Sequence, residues 1–569
     1  MIAAVLVFLL FVGGATLAVA GALRGFNALE RIALGAGAAL VGLYLATGAL
    51  WLAGADWRWL WLWPIAGATL AWRQRAGLKE LLAESLVGAT LAGWLVVAAW
   101  SAGLHALVFS YSGGTWAVDW FEHYERALFF QQRWPADHVF VAGYLLPARP
   151  PLANLAEAGL LAVAGHGFPE YQLIASLVAS LVFLPLAALA QAGGTSPRAV
   201  RWLVVLLLLC PLFAQNATFP WTKLPAAFFV VLAVALGASP TAGPRHHAFA
   251  LVALAAGLLT HYSVAPWIIA LAAGAAAVGA GRKIDATARP ALLRGGVAAV
   301  LLAATWFGWA ALHFGPATLA TATSTVGHAP AVDWTRKIAI AAANVGHSLV
   351  PDFSSPNAVM LLAQTEVWGR IRDVAFVFYQ VNLLVAFGVG NVCVLGWLAA
   401  RSPGGPTRRF WLAAIGVAVA LGIGTHSRLD ELGLAHISLQ PLILMGLAWV
   451  ARAAGSLPGW LRVGWGIGLA VDFALGIVLH FGLQSLAWLR ALHPGTGPAG
   501  LVRGLSEVAV ANFENKYRVG QPFVADLTTA GHAAIWGGLA CLLGFALWRA
   551  RFAAQTRGSR ETAGPRPVF

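Results

Sequence analysis

Charge is what this 569-residue chain has least of. Only 10% of its residues are Asp, Glu, Lys or Arg, against about a quarter in an ordinary soluble domain. Hydrophobic residues make up 60% and the mean hydropathy is +0.76. This excludes both a soluble globular protein and a disordered one, and leaves a polytopic membrane protein. Cysteine is almost absent. Cys210, Cys393 and Cys541 lie far apart in apolar runs, so no CxxC metal site or disulfide framework is available. Lysine is scarce too, 5 residues against 31 arginines. With the alanine and glycine load, that suggests a GC-rich bacterial genome. A basic n-region is missing, so the apolar start Met1-Ile2-Ala3-Ala4-Val5 reads as a first span rather than a cleaved signal.

A helix needs about 20 apolar residues to cross a hydrocarbon core of about 30 Å. Apolar runs of roughly that kind occur at about 1–22, 33–53, 57–72, 83–109, 170–192, 199–214, 222–239, 248–260, 264–281, 294–313, 374–400, 410–425, 433–451, 463–485 and 531–550, about fifteen in all. The fold class expected is an all-α polytopic bundle with long extracytoplasmic loops that carry short interfacial helices.

The net charge of +14 would suggest nucleic acid in a soluble protein. With fifteen spans, however, the arginine clusters around 73–79, 198–201, 282–294, 401–409, 452–462 and 549–566 all fall on one side, which must be cytoplasmic. The charge then divides into about +17 inside and about −2 outside, with Asp472 inside a span. The basic balance is topological, and nucleic-acid binding loses its support. The N-terminus is expected outside and the C-terminus in the cytoplasm of a bacterial plasma (inner) membrane protein. Thirteen of the fifteen histidines and sixteen of the 22 acids fall outside, where the long loops lie. Polar chemistry is therefore expected on the extracytoplasmic face.

The first long loop holds the densest polar pattern. Asp119 is a plausible N-cap, and residues 120–133 form an amphipathic helix with Trp120, Tyr124 and Leu128 on one face. Asp119, Glu122 and His123 share its first turn. On periodicity alone this is equally an interfacial helix with a solvated polar face. The loop then runs through Tyr144 to Arg149-Pro150-Pro151-Leu152.

That Asp, followed by a His-Tyr helix and Arg-Pro-Pro-Leu, resembles the first periplasmic loop of GT-C glycosyltransferases. It is most similar to the branch that contains protein O-mannosyltransferases, the lipid A aminoarabinose transferase and bacterial dolichyl-phosphate-mannose-transferase-like enzymes. Thr222-Lys223-Leu224-Pro225 and His261-Tyr262-Ser263 add to the likeness, which covers about residues 83–485. A departure is Trp120, where many members carry Glu.

The resemblance implies an inverting hexosyl- or pentosyltransferase using a polyprenyl-phosphate-sugar donor and a hydroxyl of a cell-envelope glycolipid, polysaccharide or protein. It implies Asp119 as general base, with Glu122 and His123 beside it. Arg149, His261, Arg428 and Lys223 would meet the donor phosphate, and Tyr124, Tyr144 and Tyr262 would contact substrate. Local readings stand beside these: an ion pair with Asp430 or Glu431 for Arg428, and snorkelling for Lys223. No HxxH or HxH spacing occurs outside, so no metal ligands are assigned and no cofactor is required, with a divalent metal left open. Asp472 reads as structural rather than catalytic.

The organisation expected is N-terminal extra helices at 1–82 and a catalytic membrane module at 83–485, whose extracytoplasmic loops lie at 110–169 and 314–373. A further loop and last span follow at 486–550, then a basic cytoplasmic tail at 551–569. The competing readings are a polysaccharide ligase or polymerase that uses lipid-linked sugars, and a lipid or solute transporter. Transporters usually show internal repeats, and none is visible here.

Overall fold

A computed structural model describes residues 2–483, apart from 106, 109–118, 141–142, 193–196, 280–287, 322–332, 351–370, 372–373, 375–376, 403–404 and 425–434. The described chain is helical and forms no strand. Only an isolated bridge joins Phe140 and Tyr144. In a bilayer, backbone N–H and C=O groups find no water, so each segment must satisfy its own, which helices do.

Among the described residues, seven helices are long and apolar enough to cross a membrane: Ile2–Ala22 (α1), Ala28–Leu52 (α2), Ser85–His105 (α3), Phe168–Gln191, Tyr262–Gly279, Arg289–Phe314 and Gly459–Leu483. Pro197–Leu208 and Pro211–Thr218, bent by 67° to one another, pass the same test only as a pair. The bend sits where Pro211 cannot donate its backbone N–H to the preceding turn.

Several expected spans are shorter or interrupted. The run at 57–72 is a 3-10 turn, Trp57–Trp61, followed by Leu62–Arg73. The run at 374–400 divides at Gly388 into Leu383–Phe387 and Val389–Arg401. Gly388 has φ +90, and a Cβ there would lie 2.7 Å from the Asp472 carboxylate. The expected last span at 531–550 lies outside the described residues.

Burial sorts the helices into a centre and a lipid-facing rim. Lys223–Gly237 is buried along nearly its whole length. The hydrophobic window of Phe168–Gln191 is 100% buried, against 17% for Arg289–Phe314. The latter leaves Leu293, Val297, Val300 and Leu301 bare, as a helix bordering lipid tails does.

Between α3 and Phe168–Gln191 lie two helices that matter for the site, Asp119–Gln132 (α4) and Leu152–Ala164 (α5). α5 spans about 20 Å, too short to cross the core. It packs on α2 and α4. The N-terminal helices hold this pair. Trp51 of α2 meets Phe129 and Phe130 edge-on or tilted at 6.2 and 5.3 Å, and Trp57 Nε1 donates to Gln131 O at 2.9 Å. Helices 1–82 thus have a visible role, that of a buttress behind the first loop.

Candidate active site

α4 begins at Asp119, within a residue of the start expected from its capping chemistry. The Asp119 side chain lies outside the described residues, as does Arg428. One turn on, Glu122 is completely buried. Its Oε1 accepts from Arg126 Nε at 2.9 Å and its Oε2 accepts from Arg149 at 3.3 Å. Arg126 is the i+4 neighbour on the same helix, the spacing at which a carboxylate and a cation meet. Its guanidinium also donates to the carbonyls of Leu146 and Leu145, at 3.1 and 3.3 Å, and lies 4.2 Å from the Phe140 ring centroid. It therefore ties the start of α4 to the segment that leads into Arg149.

Arg149 stands just before Pro150-Pro151, with Pro151 as the N-cap of α5. Proline fixes the backbone of this entry and keeps the residue before it extended. The Arg149 guanidinium stacks over the Tyr144 ring at 4.7 Å. Three turns of chain thus converge: Glu122 from α4, Arg149 from the α5 entry, and Tyr144 from the strand-like bridge before it.

His123 follows Glu122 and is likewise buried. Its Nδ1 lies 3.1 Å from Asn154 Oδ1 on α5. Burial lowers the affinity of this imidazole for a proton. Glu122 opposes that effect, and Arg149 and Arg126 reinforce it, so its pKa is lowered to about 4. At neutral pH the ring is uncharged.

The other side of the site comes from two helix junctions. Lys223 opens Lys223–Gly237 and is buried, with its ammonium 3.5 Å from the centroid of the Trp221 ring. His261 ends Pro244–Thr260 in an extended conformation and caps the turn that starts the next span; its Nδ1 accepts Ser263 N–H at 3.0 Å. Tyr262 OH donates to Pro147 O at 2.9 Å, which pins this junction against the Arg149 segment. Burial, then the positive charges of Lys223 and Arg149, holds the His261 pKa well below its ordinary range.

For Glu122 burial alone would favour the neutral acid. Arg149 and Arg126 outweigh it, with His123 assisting, and lower its pKa to about 2. The cluster therefore gathers three cations, Arg126, Arg149 and Lys223, around the buried Glu122 carboxylate. Cations set among aromatic faces with little water can receive an anion.

The structure brings together Glu122, His123, Arg149, Lys223, His261, Tyr144 and Tyr262. It turns Tyr124 elsewhere. That ring packs with Phe121, Phe168 and Tyr171 at 5.1 to 5.3 Å, and its hydroxyl donates to His166 O at 2.6 Å. Arg126, Asn154 and Trp221 are members that sequence reasoning missed. Only Arg126 left a signal, its i+4 spacing from Glu122. Among the described residues, no group of three His, Cys, Asp or Glu side chains could hold a metal ion.

Fold and site together define a polytopic helical membrane protein with a cationic cluster built from the ends of its helices. No family model matches the chain, and no curated protein matches it. Among solved structures, it is similar to ArnT from Cupriavidus metallidurans in the apo state. The TM-score is 0.42 and the identity 16%, over 81% of this chain and 76% of that one. It is also similar to ArnT from the same organism bound to undecaprenyl phosphate, with TM-score 0.39 and 15% identity over 86% and 82% of the two chains.

Proposed function

We propose that this protein is a membrane glycosyltransferase that moves a sugar from a polyprenyl-phosphate-linked donor to a hydroxyl of a cell-envelope acceptor. The observation that carries the reading is the Arg149–Lys223–His261 cluster beside a helix that begins at Asp119. A lipid phosphate ester is the anion that fits a cationic site built among membrane helices.

In this reading the acceptor hydroxyl gives its proton to the Asp119 carboxylate as its oxygen attacks C1 of the sugar. The bond from C1 to the phosphate oxygen breaks, and the polyprenyl phosphate leaves. Arg149 and Lys223 meet the charge that builds on the leaving oxygen. A single displacement of this kind inverts C1. Glu122 is too firmly held as an anion by two guanidiniums to serve as base; its part is to aim Arg149. The site faces the extracytoplasmic side, with the N-terminus outside and the C-terminus in the cytoplasm.

The test is Asp119→Asn in the full chain, with transfer from polyprenyl-phosphate sugars as the measurement. Loss of transfer with normal expression and insertion is expected; full activity would remove Asp119 as the base. Mass spectrometry of the envelope glycans of a deletion strain then identifies sugar and acceptor. A ligase or polymerase would instead show loss of whole polymer chains. A transporter would show no loss of a sugar linkage from purified protein and donor.

A further inference from the structure

His261 occupies the one position in the cluster where a backbone donor decides the state of a ring nitrogen. Ser263 N–H can only donate, so the Nδ1 that receives it at 3.0 Å must carry a lone pair. A neutral imidazole then bears its proton on Nε2. Full protonation would put a second proton on Nδ1 and break the capping bond of the turn Tyr262–Val264. The titratable and charged groups near enough to act on this ring through their charge are Lys223, Arg149 and His123. Two are cations and one is a neutral ring, so none rewards a further positive charge. His261 is partly accessible, unlike the buried His123.

We propose that His261 serves the site as an uncharged hydrogen-bond donor, with Ser263 N–H fixing the tautomer that offers Nε2–H to a phosphate oxygen of the lipid carrier. The inference rests on the reading of the cluster as a lipid-phosphate site. It differs from a further cation in what it provides. A neutral donor adds direction without adding repulsion against Arg149 and Lys223, so the site keeps its shape when empty. The Tyr262 bond to Pro147 O fixes the turn that carries the ring next to the Arg149 segment.

Two measurements on the full chain in lipid bilayers test this. The first needs no ligand. The nitrogen spectrum of 15N-histidine-labelled protein, minus that of His261→Gln, reports the ring directly between pH 6 and pH 8. An unprotonated Nδ1 with a protonated Nε2 is expected throughout; an imidazolium, or a proton on Nδ1, overturns the proposal. The second is binding of undecaprenyl monophosphate across the same pH range. His261→Ala should bind about tenfold more weakly, since a hydrogen bond to a charged group is lost. His261→Gln, which keeps an amide donor near the Nε2 position, should recover most of that, with a pH profile parallel to the unaltered protein. If the unaltered protein tightens relative to His261→Gln as pH falls, His261 is acting as a cation and the proposal fails. Equal binding by His261→Ala overturns it as well, while the lipid-phosphate reading survives. If neither the unaltered protein nor Arg149→Gln binds the probe, the lipid-phosphate reading falls and the donor's target with it. The spectrum then decides the tautomer alone.

Discussion

Glu122, Arg126 and His123 on α4 are as thoroughly buried as Gln215, Asn216, Gln380 and Gln440 deeper in the bundle. The amides bond to one another. Gln380 Nε2 donates to Gln215 Oε1 at 2.7 Å, Asn216 Nδ2 to Gln380 Oε1 at 2.8 Å, and Gln440 Nε2 to Asn216 Oδ1 at 2.7 Å. They stitch the bent span at Pro211–Thr218 to Gln440–Ala453 and to the segment before Leu383. Asp472 closes a second seam. It accepts from Tyr379 OH at 3.3 Å, and its other oxygen stands 2.7 Å from where a Cβ on Gly388 would lie. The carboxylate thus sits inside a span against the Gly388 break. The amide region is uncharged, whereas the α4 region gathers Arg126 and Arg149 around Glu122 and acts on the ring of His261 through Arg149. Buried amides hold a fold through hydrogen bonds alone, whereas gathered cations also attract an anion.

Removing one member should separate these two cases most sharply. Arg126→Leu strips Glu122 of a buried partner and frees the carbonyls of Leu145 and Leu146. A loss of about 3–5 kcal/mol is expected, read as a fall in thermal stability in detergent. Arg149→Gln, at the edge of the same cluster, should cost far less stability and chiefly weaken lipid-phosphate binding. If the two variants unfold alike, the distinction between clamp and binding residue is wrong.

Asn216→Leu comes next. It leaves Gln380 and Gln440 each short of a buried partner, so about 1–3 kcal/mol should be lost. Lipid-phosphate binding per folded molecule should not change, because the seam lies apart from the cluster. A matched loss of affinity would join the two regions into one site.

How much of this was readable in advance follows the same division. α4, its start at Asp119, and the likeness of Arg149-Pro150-Pro151-Leu152 were legible, because capping and proline rules act over a few residues. The convergence of Lys223 and His261 on Arg149 was visible only as three motifs expected on one face. The amide seam left no trace. Asn216 and Gln440 are 224 positions apart, and nothing in the spacing of either joins it to the other. Spacing is silent about partners brought together by packing alone. The run at 374–400 looked continuous for a related reason: a glycine inside an apolar stretch does not announce whether its φ is positive.

Two carboxylates of the first loop should respond to pH in opposite directions. Glu122 is lowered from an ordinary 4.5 to about 2. Its contribution to stability is therefore complete above pH 4.5 and lost as pH falls toward 2. Glu157 on α5 is buried, and burial raises its pKa from 4.5 to about 8. Its burial is cheapest below pH 4.5, and stability is lost as pH rises toward 8. Glu157→Gln should flatten the alkaline limb of a stability profile measured from pH 2 to pH 9, and Glu122→Gln the acid limb. A Glu157→Gln profile that keeps its alkaline slope would show that this carboxyl finds a cationic partner.

The smallest effect tests the buttress behind α4. Arg133 ends that helix and is the only non-glycine residue with positive φ among the described residues, at 55°. Left-handed backbone costs a non-glycine residue about 1 kcal/mol. The side chain offsets that cost. Its guanidinium donates to the carbonyls of Ala55 and Leu50 and lies 4.5 Å from the centroid of the Trp57 ring, so the N-terminal helices grip the end of α4. Arg133→Ala keeps the strain and loses the grip; Arg133→Gly loses both. Stability should therefore fall by about 1–2 kcal/mol for alanine and by less for glycine, read as paired midpoints of thermal unfolding. Equal losses would mean that the backbone there relaxes and that the N-terminal helices are held to α4 by the rings of Trp51 and Trp57 instead.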